Sequence, residues 1–313
     1  MRLFRSLDNL PEFRNGVLTI GTFDGVHCGH QEIIRRLNQI AADINGENII
    51  ISFHPHPRMV LHRDEQELKL LTTLDEKISL LSRLGIDNLI IIPFSESFSK
   101  ISAESYVRDF IWGKIRPRVV VIGYNHRFGN NRSGDIHLLR KMSKALGFQV
   151  EEIAAQTVEN ISVSSTKIRK ALIQGDIETA NILLGRYYSL SGKVIRGAQL
   201  GKKLGFPTAN IMVKDTTKLI PANGVYAVKT LVDEQIYGGM LNIGFRPTFN
   251  GQHQTIEVHI FEFKSEVYGA EITVEFVAPI RQEVKFNSVE ELREQLKRDK
   301  LTSLKILEST KTT

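Results

Sequence analysis

Cysteine occurs once in the 313 residues, as Cys28. One thiol excludes a disulfide framework within the chain and is consistent with a reducing interior. Long apolar runs are missing too, so no segment reads as a membrane span. Arg2 and Arg5 open the chain, but Asp8, Asn9, Pro11 and Glu12 follow without the apolar core of a signal peptide. Charge of one sign is also scarce: the net charge is +6. Up to Leu184 there are 23 Lys and Arg against 21 Asp and Glu, and beyond it 18 against 14. Neither part has the basic excess of a nucleic-acid binder, whereas small anions remain compatible partners. The expectation is a cytoplasmic globular protein with neither nucleic acid nor membrane as partner. The sequence does not set its oligomeric state and leaves room for a weak homo-oligomer. With 42% hydrophobic and 24% charged residues the composition is ordinary, and the length favours two domains.

What is present centres on Gly21-Thr22-Phe23-Asp24-Gly25-Val26-His27-Cys28-Gly29-His30. The apolar run Val17 to Ile20 precedes it, and residues 31–42 follow with apolar positions at helical spacing. Strand, glycine-bearing turn and helix start thus sit together, and the unpaired N–H groups of a helix start suit a phosphate. His27 and His30, on either side of Gly29, are placed to meet the same phosphoryl oxygens. Other readings are two surface histidines at a helix start, or metal ligands together with Cys28, although structural zinc wants four ligands. The turn has no Walker lysine.

Up to about residue 155, strand-like runs (Asn48–Phe53, Asn88–Pro93, Arg118–Gly123, Gln149–Ile153) alternate with helix-like segments. Unbroken Val/Ile runs imply strands covered on both faces, hence a doubly wound parallel sheet with ligands at the carboxyl ends of its strands. His54-Pro55-His56-Pro57 leaves the first of these strands, and Gly123-Tyr124-Asn125-His126-Arg127-Phe128-Gly129 leaves a later one. The latter reads as a polar turn or as a ligand loop, in which Arg127 offers a donor fork and Phe128 a stacking face. In Ser164-Ser165-Thr166-Lys167-Ile168-Arg169 three hydroxyls precede a helical pattern, as a cap or as a phosphate cradle flanked by cations.

After a connector at Gln174 to Gly185 the pattern becomes short and alternating: Tyr188–Val194, Gly224–Leu231, Tyr237–Ile243, Thr255–Phe261 and Glu271–Phe276. This predicts an antiparallel β-barrel, closed by a helix from Ser288 to about Asp299. Gly192, Gly197, Gly201 and Gly205 surround Lys202 and Lys203 and lead into Gly-Phe-Pro-Thr208-Ala-Asn210. Glycines there either form turns or let a ligand approach the backbone. Glu257 and His259 share one face of a strand, where polar residues ordinarily meet solvent.

The decapeptide resembles the G-x-F-D-G-x-H-x-G-H signature of prokaryotic bifunctional riboflavin kinase/FAD synthetases, and the resemblance spans about residues 15–299. Val163 to Arg169 is similar to I-S-S-T-x-I-R, and Gly205 to Asn210 to G-x-P-T-A-N. Where that family usually has G-x-D-F-R-F-G, this chain has Asn125 for the acid and His126 for an aromatic residue. The resemblance implies a Rossmann-like nucleotidyltransferase domain over 1–185 and a riboflavin kinase barrel over 186–313. ATP would phosphorylate riboflavin to FMN, releasing ADP, and adenylylate FMN to FAD, releasing pyrophosphate, with Mg²⁺ in attendance.

In the first domain the resemblance implies a nucleotide site of Gly21, Phe23, Asp24, Gly29, His56, Asn125, Arg127, Ser164, Ser165 and Thr166. His27, His30 and Arg169 would there stabilise the transferring phosphate. In the second it implies phosphate and flavin contacts from Gly197, Gly201, Lys203, Thr208, Asn210 and Arg281. Thr208 and Asn210 would hold Mg²⁺, and Glu257 would be the general base. Alternatives are a chain that retains only the kinase because of Asn125, and a flavin or nucleotide sensor without turnover.

Overall fold

A computed structural model describes the chain except residues 62–67, 125, 154–162, 198–199, 249–250 and 311–313, and the side chains at 200, 246–248 and 251–253. The chain divides into two compact units, Met1–Ser165 and Thr166–Thr313.

In the first unit β1 (Arg2–Phe4), β2 (Val17–Ile20), β3 (Asn48–Phe53), β4 (Asn88–Ile92), β5 (Val119–Gly123) and β6 (Gln149–Ile153) form a parallel sheet. Their order is β1-β4-β3-β2-β5-β6. The unbroken Ile and Val runs exist because both faces are covered. Leu18, Ile51, Ile90 and Ile122 pack under Phe110 and Leu139 on one side. Val17, Ile50, Leu89 and Val121 pack under Leu37 and Leu81 on the other. Those last two belong to α1 (Cys28–Asp43) and α2 (Leu74–Arg83), while Leu139 belongs to α3 (Ile136–Leu146). Phe110 lies in a π-helical turn, Tyr106–Trp112. The strand order reverses between β2 and β5, which opens a crevice outside their carboxyl ends. The two glycine-bearing loops, after Ile20 and after Gly123, leave from those ends.

Both edges of the sheet carry charge. On β6, Glu151 and Glu152 point to opposite faces and pair with Arg36 of α1 at 2.8 Å and Arg140 of α3 at 3.0 Å. On β1, three residues long, Arg2 reaches Glu47 at 2.7 Å.

The second unit opens with α4 (Ser165–Ile173), whose first residue closes the first unit, and α5 (Ile177–Leu184). The Asn181 amide donates to the Phe276 carbonyl at 2.9 Å and accepts from Tyr188 N at 2.7 Å, tying α5 to the strands. Those strands are β7 (Tyr188–Ile195), β8 (Ala209–Met212), β9 (Gly224–Val232), β10 (Gln235–Thr248), β11 (Gly251–Ile260) and β12 (Glu271–Arg281). They close into an antiparallel barrel in the order β10-β11-β8-β7-β12-β9.

Helix α6 (Val289–Ser309) packs Leu296, Leu304 and Leu307 against Phe206, Met240 and Phe261. It runs ten residues past the end expected near Asp299. Thr302 and Ser303 are modest helix formers, but the leucines beyond them gain a partner surface on the barrel, and packing outweighs propensity.

Candidate functional site

The turn after β2 is wound tightly. Phe23 (φ 48), Gly25 (φ 82) and Val26 (φ 40) all have positive φ, which for phenylalanine and valine costs of order 1–3 kcal/mol each. Their side chains are buried against α1 and α2, at 1% and 0% exposure. Burial worth about 1.5–3 kcal/mol per side chain offsets that strain. The Asp24 carboxylate is buried and accepts from Leu71 N at 2.9 Å and Thr72 N at 3.2 Å, while Gly25 N donates to Thr72 Oγ1 at 3.2 Å. Asp24 therefore anchors the turn with its side chain. Ser165 Oγ donates to its backbone carbonyl at 3.0 Å. Gly21 N bonds the Ile51 carbonyl at 3.0 Å, and Gly29 is buried in the first turn of α1.

His27 caps α1: its Nδ1 accepts from His30 N at 3.4 Å. An Nδ1 that accepts leaves the proton on Nε2, the tautomer that can donate to a phosphate oxygen. The rings of His27 and His30 are stacked, with centroids 3.7 Å apart, and Phe23 lies 5.0 Å from His30. The two imidazoles are thus brought together, beside the crevice at which the sheet order reverses. Among the described residues no group of three or more His, Cys, Asp or Glu is arranged to hold a metal ion.

His56 starts the short helix Pro57–Leu61, its Nδ1 accepting from Arg58 N at 3.2 Å. Arg127 is paired with Asp135, the cap of α3, at 3.3 Å. Asn125 lies outside the described residues. Phe128 does not offer a stacking face to a ligand: it is buried and stacked on Tyr106 at 5.2 Å. Ser164 precedes α4, Ser165 begins it, and Thr166 and Arg169 lie in its first turns.

In the barrel, Thr208 stands just ahead of β8 and donates its hydroxyl to Glu257 Oε2 at 3.2 Å. Asn210 on β8 and Asn242 on β10 are the two cross-strand partners of Glu257 on β11. Opposed residues share a face, so an amide flanks the carboxylate on each side. A Cβ at Gly197 would collide with the Asn210 side chain, and one at Gly201 with the Phe206 carbonyl. These glycines therefore allow the loop to close on the Asn210 and Thr208 segment. Lys203 is exposed on the short helix Leu200–Lys203.

His259 shares the face of Glu257 but is buried rather than solvated. Its Nδ1–H donates to the Pro207 carbonyl at 2.8 Å, and Phe206 and Phe261 meet it edge to face. Burial holds it below the ordinary imidazole range, against the Pro207 hydrogen bond, with Lys300 lowering it further. Arg281 is fully engaged: Nε and Nη2 bond the buried Asp299 carboxylate at 2.8–3.1 Å, Nη1 bonds the Gln282 carbonyl, and Phe286 lies under the guanidinium.

Two residues at these sites carry no sequence signal for the places they take. Asn242 falls beside Glu257 only through strand register. Lys77 of α2, on sequence a surface lysine of an amphipathic helix, is 6% exposed and donates to the Thr22 carbonyl at 2.7 Å and lies 3.4 Å from Ser52 Oγ.

The FAD synthetase family matches residues 10–167, and the Riboflavin kinase family matches residues 184–307. A bifunctional riboflavin kinase/FMN adenylyltransferase of Buchnera aphidicola is 39% identical over 96% of both chains. That of Bacillus subtilis is 38% identical over 94% of this chain and 93% of its own. A crystal structure from Streptococcus pneumoniae, described as a macrolide-efflux protein, superposes with a TM-score of 0.88 at 29% identity, covering 96% of this chain and 98% of that one. Its description belongs to that protein; among the described residues here no helix is long and apolar enough to cross a membrane. With both family matches, near full-length relatives and the sheet-plus-barrel architecture together, this chain belongs to the family of bifunctional riboflavin kinase/FMN adenylyltransferases.

Proposed function

We propose that the barrel, in residues 186–313, phosphorylates riboflavin and that the parallel-sheet domain, in residues 1–185, adenylylates the FMN so formed. The observation that carries this reading is the Thr208–Glu257 hydrogen bond, which joins a glycine-bordered loop to a carboxylate flanked by Asn210 and Asn242. Glu257 takes the proton from the riboflavin 5′-hydroxyl as that oxygen bonds the γ-phosphorus of ATP. The bond to the β-phosphate oxygen breaks and ADP leaves.

The donors around Thr208 are oxygens, which suit a hard cation, and no all-protein cage of acids or histidines surrounds them among the described residues. That donor set fits Mg²⁺ held through Thr208, Asn210 and the phosphates themselves. Bound there, Mg²⁺ would neutralise charge on the phosphoryl oxygens. Gly197, Gly201 and Lys203 border the same loop, where backbone N–H groups and an ammonium suit phosphates.

At the sheet, an FMN phosphate oxygen attacks the α-phosphorus of ATP, the anhydride bond breaks and pyrophosphate departs. His27 and His30 donate to the oxygens that gain charge. The helix start, Ser164, Ser165, Thr166 and Arg169 receive the polyphosphate, with Gly21, Phe23, Asp24, Gly29, His56 and Arg127 shaping the pocket. This half departs from the usual family pattern at Asn125, which stands for an acid, and at His126, which stands for an aromatic residue. The reading places the enzyme in the cytoplasm, with room for a weak homo-oligomer and with no nucleic-acid or membrane partner.

Incubating the chain with riboflavin, ATP and Mg²⁺ and following products by chromatography tests the reading. FMN should appear first and FAD after it. FMN without FAD would leave only the kinase, and neither product would leave a binding protein.

A further inference from the structure

We infer that Lys77 is a positioning residue for adenylyl transfer: its ammonium, inserted from α2 beneath the turn after β2, holds the Thr22 carbonyl and thereby sets where the two stacked imidazoles stand. This rests on the assignment of His27 and His30 to the transferring phosphate.

The geometry is that of a clamp. Nζ donates to the Thr22 carbonyl at 2.7 Å and lies 3.4 Å from Ser52 Oγ, and Ser52 Oγ donates to the same carbonyl at 3.2 Å. One residue beyond Phe23, the Asp24 carboxylate takes two backbone N–H groups from residues 71 and 72, just ahead of α2. A single stretch, residues 71–77, therefore grips the turn from two sides, at Thr22 through a cation and at Asp24 through amides. Between and beyond these grips lie the positive-φ residues Phe23, Gly25 and Val26. Such a backbone keeps one conformation only when its surroundings over-determine it.

Lys77 is a costly choice for that task. At 6% exposure its charge has lost most of its hydration, and burial pushes it down to about 8, with Asp24 opposing the shift. A methionine of similar length would bury there without that cost, but it would leave the Thr22 carbonyl without its charge-assisted donor. The site thus keeps a residue that works against stability, as functional positions do.

The test is steady-state kinetics of Lys77→Met and Lys77→Gln in the full-length chain, with FAD formation from supplied FMN and riboflavin phosphorylation measured on the same preparation. Thermal unfolding is recorded for each variant, and rates are taken well below its midpoint. Displaced imidazoles should lower kcat for FAD formation on the order of 10- to 100-fold. KM for FMN and ATP should change less than kcat does, because part of the proposed pocket, Ser164, Ser165 and His56, lies outside the turn. Gln, which keeps an N–H donor, should recover part of the loss. Full kcat in either folded variant overturns the inference, and so does a loss that appears in KM with kcat preserved. A fall in kcat that only tracks the fraction unfolded overturns it as well. His30→Ala is the companion: if it leaves FAD formation intact, the assignment of the imidazoles fails, whereas loss there with full activity in Lys77→Met removes the role of Lys77 alone.

Discussion

Thr208 and Glu257 meet across the seam between β8 and β11, the hydroxyl of one donating to Oε2 of the other at 3.2 Å. The hydroxyl fixes the orientation of the carboxylate that the proposed reaction needs as acceptor of an alcohol proton. Replacing Glu257 with glutamine preserves size and removes the proposed base.

Glu257→Gln should therefore lower riboflavin phosphorylation by about 10²- to 10⁴-fold. FAD formation from supplied FMN should stay near the wild-type rate. Separate assays of FMN and FAD by chromatography check this, and joint loss of both activities would contradict two independent centres.

His30→Ala should do the reverse. Losing one donor to a charge-gaining phosphoryl group costs on the order of 10²-fold or more in kcat, so FAD formation collapses while riboflavin is still phosphorylated. Restoring the acid with Asn125→Asp measures the departure in this half: a raised adenylyl-transfer rate is the expected outcome, and an unchanged rate would show the carboxylate to be dispensable.

Arg281→Met should act on stability. Asp299 is 1% exposed and Arg281 supplies its countercharge. Breaking such a pair from one side leaves a buried carboxylate exposed to no cation, at a cost of about 3 kcal/mol. The urea midpoint of the barrel should fall accordingly. A normal midpoint with a raised KM for riboflavin or ATP would instead make Arg281 a ligand contact.

Lys77 makes stability depend on pH in the alkaline range. Its folded value, about 8, lies below the ordinary 10.5, so between these values the unfolded chain holds more protons. Stability must therefore rise with pH across that window, by up to ~3 kcal/mol, and the cost of the buried charge is fully present below it. Urea unfolding of wild type and Lys77→Met at neutral and alkaline pH checks the sign: wild type should gain on the variant as pH rises.

The sheet and most of the barrel were legible because their signals are local. Residues 49–51 and 119–122 are unbroken apolar runs, and residues 255–260 alternate, so the pattern alone assigns their strands. Strand β8 falls outside the alternating segments read from the sequence because it is four residues long and runs straight out of the glycine-rich segment. The histidines of the turn were visible as a motif, whereas Lys77 was not, since a lysine in an amphipathic helix carries no mark of the carbonyl it will meet. His259 misled for the converse reason. Alternation put it on the outer face beside Glu257, but residues 206–207 fold over that face and cover it. Asn242 needed the register of β10 on β11, and long-range pairing is what a single sequence conveys least.

Both β assemblies are finished at their margins. The barrel is a ring with no first or last strand, and the open sheet ends in a three-residue stub on one side and in a doubly ion-paired strand on the other. Among the described residues an incoming peptide thus finds no long bare row of amides to copy. Self-templated fibre growth would have to await local melting, so the enzyme's shelf life in concentrated solution should follow how often β6 lets go of its arginines.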